Sequence, residues 1–236
     1  MAIECLLHSV FFLNNRNEMM MKSKIITVLL LLLVGLSALQ AQSDPEATAL
    51  LKKLSAKYKA YTTTTSDFTI SIHEPEAKVD IVKKGKLFLK GPKFKLQIDE
   101  IISFCDGKNI WNYLPKDKQV QVSIYDKGDG SISPEKLYSL WEKDYMYRVK
   151  DKKSVGGKAY TVIELSPVTN KNASIFKIDL TMNTTTNELV SFLIYEKNGT
   201  RTTYTVNTFV ANTVYSDAFF IFDPKLNKGV ELIDLR

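Results

Sequence analysis

The chain has 236 residues, of which 44% are hydrophobic, 25% charged and 11% aromatic, and its 32 Lys and Arg against 26 Asp and Glu give a formal net charge of +6. This balance excludes a disordered, collagen-like or disulfide-stapled chain. The basic excess is mild and spread along the sequence without a dense Lys/Arg block, which argues against nucleic acid as a partner.

In chain order, Met19, Met20, Met21, Lys22 and Lys24 precede the apolar run Ile25–Val34, and small residues lead to Ala41. A basic start, a short apolar core and a small-residue end describe a signal peptide over 1–41, cleaved near Ala41. The run is short for a membrane span and no stop-transfer pattern follows, so an uncleaved anchor is the weaker reading. Met1–Glu18 reads as an extension from a start codon placed too early. The mature chain, 42–236, is then expected to be a single exported domain of 236 − 41 = 195 residues. No Cys follows the apolar run, so the chain is not expected to be a lipoprotein itself. Cys105 is the one cysteine left. It excludes an internal disulfide and fits a buried thiol better than a nucleophile.

Asp44 and Pro45 form a helix start, a capping carboxylate followed by a proline at the first helical position. Leu50, Leu51, Leu54, Tyr58 and Tyr61 recur near a period of 3.6, and the threonines 62–65 end the stripe. From Ser66 the period becomes two: Phe68, Ile70 and Ile72; Val79 and Ile81; Leu87 and Leu89; Phe94, Leu96 and Ile98; Val120, Val122 and Ile124. Such alternation belongs to half-buried antiparallel strands. In the 86–90 run Leu87 and Leu89 point inward, while Lys86, Phe88 and Lys90 share the outer side, with Phe88 under a lysine stem. Lysines 83, 84, 86, 90, 93 and 95 suggest a basic outer patch, read chiefly as a solvated strand face. Later strands are expected over 145–150, 160–165, 175–182, 189–196 and 201–210. Asn198-Gly199 marks a hairpin between the last two, of the type I′ form that needs two positive φ angles. A second helix is expected where Ser133 caps, Pro134 opens, and Leu137, Leu140 and Trp141 share a face.

Catalytic signatures do not emerge. The mature chain has one histidine, His73, and no second His or Cys to complete a metal cluster. There is no nucleophile elbow, phosphate loop or dinucleotide fingerprint. Asp99 and Glu100 are adjacent on an extended run and would point to opposite faces. An enzyme is disfavoured, and no cofactor or metal is expected. Many apolar strands with two amphipathic helices suit either a filled core or a sheet whose concave face keeps an apolar cavity.

A series of local motifs favours the cavity. Gly85-x-Leu87, Pro92-x-Phe94, Asp106-Gly107-Lys108, Trp111, Tyr113, Pro115 and Gln119-Val120 come in order, and Phe220-x-Phe222-Asp223-Pro224 and Gly229-Val230-Glu231 close the chain. Over nearly all of 44–236 this resembles the periplasmic outer-membrane lipoprotein carrier proteins, the LolA-type family. The resemblance implies a mainly β fold with α, an incomplete (open) antiparallel β-barrel of about 10–11 strands with helices forming a lid over an apolar cavity. It implies a monomeric periplasmic carrier that takes acylated lipoproteins from an inner-membrane lipoprotein-release complex toward an outer-membrane acceptor that the sequence does not identify. The alternative is a lipid-sensing or regulatory interaction module of the same fold. The expected lipid-binding set is Ile70, Ile72, Leu87, Leu89, Leu96 and Ile98 from their own alternation, Trp111 from the resemblance, and Leu137, Leu140 and Trp141 from helical spacing. One position departs from the family: Gly91 stands where members often carry an arginine that latches the lid, and the flanking Lys90 and Lys93 lack the planar guanidinium fork.

Overall fold

The computed structural model describes residues 43–125, 139–168 and 174–236. The expected signal peptide, and Ser133, Pro134 and Leu137 of the expected second helix, lie outside the described residues. Helix α1 spans Pro45–Lys59. Asp44 caps it: its Oδ1 accepts the N–H groups of Glu46 at 2.8 Å and Ala47 at 3.4 Å. This satisfies donors that the first helical turn leaves open, and Pro45 has no N–H to satisfy.

Twelve strands follow among the described residues, against the ten or eleven expected. They are β1 (Thr64–Glu74), β2 (Val79–Lys90), β3 (Lys93–Ile98), β4 (Ile101–Cys105), β5 (Asn109–Leu114), β6 (Gln119–Ile124), β7 (Tyr145–Val155), β8 (Lys158–Pro167), β9 (Ile175–Asn183), β10 (Glu188–Glu196), β11 (Arg201–Ala211) and β12 (Glu231–Asp234). The runs around Ile81 and Leu89 are one strand, β2. Residues 140–142 of the expected second helix form a single 3-10 turn, Leu140–Glu142.

The strands make one sheet in the order β12-β6-β5-β4-β3-β2-β1-β11-β10-β9-β8-β7. Neighbours are antiparallel except β12, which runs parallel to β6. The end strands do not pair with each other, so the sheet is an open, curved antiparallel sheet rather than a closed barrel. Both ends are protected in the manner of edge strands. β12 is only four residues long, and the β7 edge carries Arg148, Lys150, Lys152 and Lys153. The β10–β11 hairpin forms at Asn198-Gly199, but only Gly199 takes a positive φ, of 91°. The turn is therefore not type I′. The Asn198 side chain instead accepts the Thr200 N–H at 3.0 Å.

The inner face of the sheet carries α1. Leu51, Leu54 and Tyr58 join Ile163, Leu165, Ile178, Leu180 and Met182 from β8 and β9 in one core, each at most 6% exposed. Burying such side chains contributes roughly 1.5–3 kcal/mol each. Polar ties fix the docked helix. Asp44 Oδ2 accepts the Val149 N–H of β7 at 3.0 Å, and the Tyr58 hydroxyl accepts the Leu189 N–H of β10 at 3.2 Å. Lys57 pairs with Glu188 at 2.8 Å, and Lys59 with Glu142. The outer face of β2–β6 is covered by the segment after β11, where a short 3-10 helix, Asp217–Phe220, lays aromatic rings on the sheet.

Candidate functional site

Register decides which side chains share the inner face, because residues opposite each other on neighbouring strands point to the same side. Leu87 lies opposite Ser66 of β1 and Leu96 of β3, and Leu89 opposite Thr64 and Phe94. Gly85 lies opposite Phe68 and Ile98. Phe68, Ile70, Ile72, Leu87, Leu89, Leu96 and Ile98 therefore form one inner apolar surface. β11 continues it with Phe209, Val206 and Tyr204, which lie opposite Ser66, Phe68 and Ile70. Ile70, Leu87 and Leu89 are buried, whereas Ile72, Leu96 and Ile98 keep partial exposure. The six strand residues expected to share a surface do share one.

Gly85 has a steric reason. The Phe68 ring lies across it, and a Cβ built there would sit 2.2 Å from Phe68 Cζ and 2.5 Å from Cε2. The ring fills the side-chain space that the glycine leaves, so Phe68 lies flat in the surface.

A pocket of about 230 Å³ opens at one end of this surface, between the C-terminus of α1 and the β2–β3 turn. Tyr58, Tyr61 and Leu89 form its apolar wall, and Thr62, Thr63 and Thr64 bring hydroxyls. Burial pushes the Tyr58 hydroxyl up to about 12, so it stays a neutral hydrogen-bonding group. Gly91 is on the rim, with φ of 55° and nothing within 4 Å of where a side chain would begin. The neighbouring lysines do not replace an arginine there. Lys90 and Lys93 turn to the outer face and hold Asp217 at 2.9 and 2.7 Å. Hydrogen bonds from Lys93 and Lys90 lower the Asp217 carboxyl to about 2.

The other motif residues build the β2–β3 and β4–β5 corners. Asp106 Oδ1 accepts the N–H groups of Lys108 at 2.8 Å and Asn109 at 2.7 Å. Gly107 takes φ of 91°, and its Cα side lies against Pro92, with 3.2 Å from a built Cβ to the Pro92 ring. Cys105 is fully buried between them and accepts the Gly107 N–H at 3.4 Å, a packed thiol rather than an exposed one.

Of the remaining expected members of the inner set, two need correction. Trp111 is on the opposite face: it pairs with Phe104 of β4 and Val122 of β6, and Phe104 pairs with Lys95 and Lys95 with Phe88. All of these alternate with Leu87, Leu89 and Leu96, so Trp111 cannot line the same surface. Leu137 lies outside the described residues. Leu140 is placed in the 3-10 turn rather than on a helix face. Trp141, 3% exposed, does belong to the inner core cluster.

The outer face differs from its expectation as well. Phe88 does not face water under a lysine alone. Its ring meets Tyr215 and Phe219 edge-on at 5.6 and 5.0 Å between centroids, with Lys86 above it. Phe222 packs on Phe104 and Tyr113, at 6.0 and 5.2 Å. Lys83 is not in an outer patch, since it lies opposite Ile70 on the inner side. Of the remaining lysines, Lys86 pairs with Asp67, and Lys90 and Lys93 share Asp217, so part of the basic face is tied up in ion pairs. The signal for this covered outer face was in the sequence: Trp111 and Tyr113 alternate out of phase with Ile110, and the tail carries Phe219, Phe220 and Phe222.

Residues 59–223 match the profile of the outer membrane lipoprotein carrier protein LolA. No curated protein sequence matches the chain. Among solved structures, an uncharacterized conserved protein of Thermus thermophilus aligns with a TM-score of 0.53 at 11% identity, over 80% of this chain and 99% of that one. Lipoprotein LppX of Mycobacterium tuberculosis aligns with a TM-score of 0.46 at 14% identity, over 74% and 99% of the two chains. A LolA superfamily protein of Nitrosomonas europaea aligns at 0.42 with 13% identity, over 75% and 97%.

Proposed function

The chain belongs to the outer membrane lipoprotein carrier family, LolA, and from that premise we propose that it shields the acyl chains of lipoproteins on its inner face and ferries them through the periplasm as a monomer. The donor is an inner-membrane lipoprotein-release complex and the acceptor an outer-membrane partner. The observation that carries this reading is the continuous inner surface of Phe68, Ile70, Ile72, Leu87, Leu89, Leu96 and Ile98, partly exposed toward β3. An acyl chain crossing water costs roughly 0.8 kcal/mol per CH₂, or about 12 kcal/mol for sixteen carbons. A surface that replaces water along the chain offsets that cost. The threonines 62–64 give the mouth a polar rim suited to the ester-bearing head, with Leu89 and Tyr61 beneath it for the chains. With Gly91 on the rim, no guanidinium fork fastens the mouth there, so loading needs little opening work and release is weakly gated.

The test is uptake of a fluorescent acyl probe by purified 42–236. Leu89→Asp is expected to weaken uptake at least about tenfold, because a carboxylate beside the chains must lose its water. Val82→Asp, at a position 67% exposed, leaves uptake unchanged. Circular dichroism checks that both variants fold. A folded wild-type chain that takes up no probe, or a folded Leu89→Asp chain that takes it up normally, overturns the reading.

A further inference from the structure

The outer face carries a second concavity, separated from the inner surface by the thickness of the sheet. A groove of about 620 Å³ runs between the outer side of β3–β5 and the segment after β11. Ile102, Phe104 and Tyr113 form the sheet side, and Phe219 and Phe222 the opposite wall. Its volume is that of a site for one small molecule. Nearby apolar groups stay open to solvent: Ile221 is 40% exposed and Leu226 83% exposed, both on the groove lining.

One cation faces this groove. Lys95 Nζ lies 4.8 Å from the centroid of Phe104 and 4.7 Å from that of Phe219. The two rings hold the ammonium between sheet and segment. Among the described residues no carboxylate lies within ion-pair distance of it, unlike Lys86, Lys90 and Lys93 on the same face. Burial pushes its pKa down, as expected for a cation short of counter-charge. The one carboxylate on the lining, Asp223, is turned to its own backbone, where Oδ1 accepts the Lys225 N–H at 2.8 Å. An ammonium with three donors, ring faces on two sides and an apolar trough beside it is complementary to an anion with an apolar tail.

We propose that this outer-face groove is a second ligand site, for an amphiphile with one anionic head group on Lys95 and a single apolar chain along the aromatic walls. Lys95 and Phe104 project from the opposite side of the sheet to Leu96 and Cys105, so the site is independent of the inner surface. A fatty-acid carboxylate and an alkyl phosphate share this chemistry.

The experiment uses dodecanoate with a terminal diazirine, photocrosslinked to the mature chain and mapped by peptide mass spectrometry. Dodecyl phosphate, dodecanol and dodecyltrimethylammonium serve as competitors. Crosslinks are expected in 102–104 and 218–227. They should fall at least about tenfold in Lys95→Met, persist in Lys95→Arg, and remain unchanged in Leu89→Asp. Competition by dodecyl phosphate in excess of unlabelled dodecanoate identifies a phosphate head, and the reverse order a carboxylate head. The neutral and cationic competitors should be ineffective. Crosslinks confined to inner-face peptides, equal labelling of a folded Lys95→Met chain, or equal competition by dodecyltrimethylammonium overturns the proposal.

Discussion

Replacing Gly85 by Ala tests whether Phe68 is held flat in the inner surface by the missing side chain opposite it. The added Cβ would meet three atoms of the Phe68 ring at 2.2, 2.5 and 2.9 Å, so the ring must leave its position. Gly85 has no left-handed φ, so backbone strain plays no part. Overpacking of this kind costs about 1–3 kcal/mol. The lower chain entropy of Ala in the unfolded state returns about 0.4–1 kcal/mol. The net expectation is a loss of about 1–2 kcal/mol, or roughly 2–8 °C in Tm for a domain of this size. The same ring movement puts a phenyl group where Leu87 and Ile98 border the surface, so acyl-probe uptake should weaken in parallel. A double-mutant cycle isolates the cause: in a Phe68→Leu background the shorter side chain clears the Cβ, and Gly85→Ala should cost little or become stabilising. Thermal melts of the four chains by circular dichroism supply the cycle. An unchanged Tm for Gly85→Ala, or the same loss in both backgrounds, refutes the reasoning.

Two further expectations concern the anchoring of α1 and the outer face of the β7–β10 half. The Asp44 carboxyl is lowered from 3.8, first by the hydrogen bond from the Val149 N–H and then by that from Glu46. Its contribution is complete above the unfolded value and is lost as pH falls through the lower folded value. Asp44→Asn should therefore destabilise the chain by a constant amount above about pH 5, with the gap narrowing below about pH 4. Urea midpoints across pH measure it, and a gap that does not change with pH refutes it. On β9, Asp179 is 5% exposed, and its Oδ2 receives Lys150 Nζ at 2.6 Å and the Tyr195 hydroxyl at 2.7 Å, while Oδ1 has no partner. Lys150→Met strands a buried carboxylate and should cost about 2 kcal/mol, below the 3–5 kcal/mol of fully buried pairs because water reaches the lysine. Asp179→Asn leaves Lys150 free to reach solvent and should cost under about 1 kcal/mol. Equal losses in chemical denaturation would show that the buried charge is not the cause.

Several features of this protein follow from its sequence alone, because they depend on neighbours within one element. The Asp44-Pro45 start of α1 and its Leu51, Leu54 and Tyr58 stripe are local in that sense. So is the inward phase of Ile70, Leu87, Leu89 and Leu96, since alternation in a strand has a fixed period. Other features needed the tertiary structure. Alternation assigns two faces to each strand but does not say how the faces of different strands line up. A one-residue change of register exchanges them. Trp111, expected beside Leu89, therefore proves to belong with Phe88, Phe104 and Val122 on the other side. Lys83 proves to be on the inner side because Val79–Lys90 is one strand, which puts Lys83 in phase with Leu87 and Leu89. Nor does local pattern reveal that the outer face of β2–β6 is covered. Phe88 looks misplaced among lysines until Tyr215 and Phe219, more than a hundred residues later, come to rest on it. The parallel β12 and the outer groove arise from the same return of the chain. Contacts between segments so far apart in sequence depend on where the whole sheet carries each end, and no period within a single strand or helix encodes that.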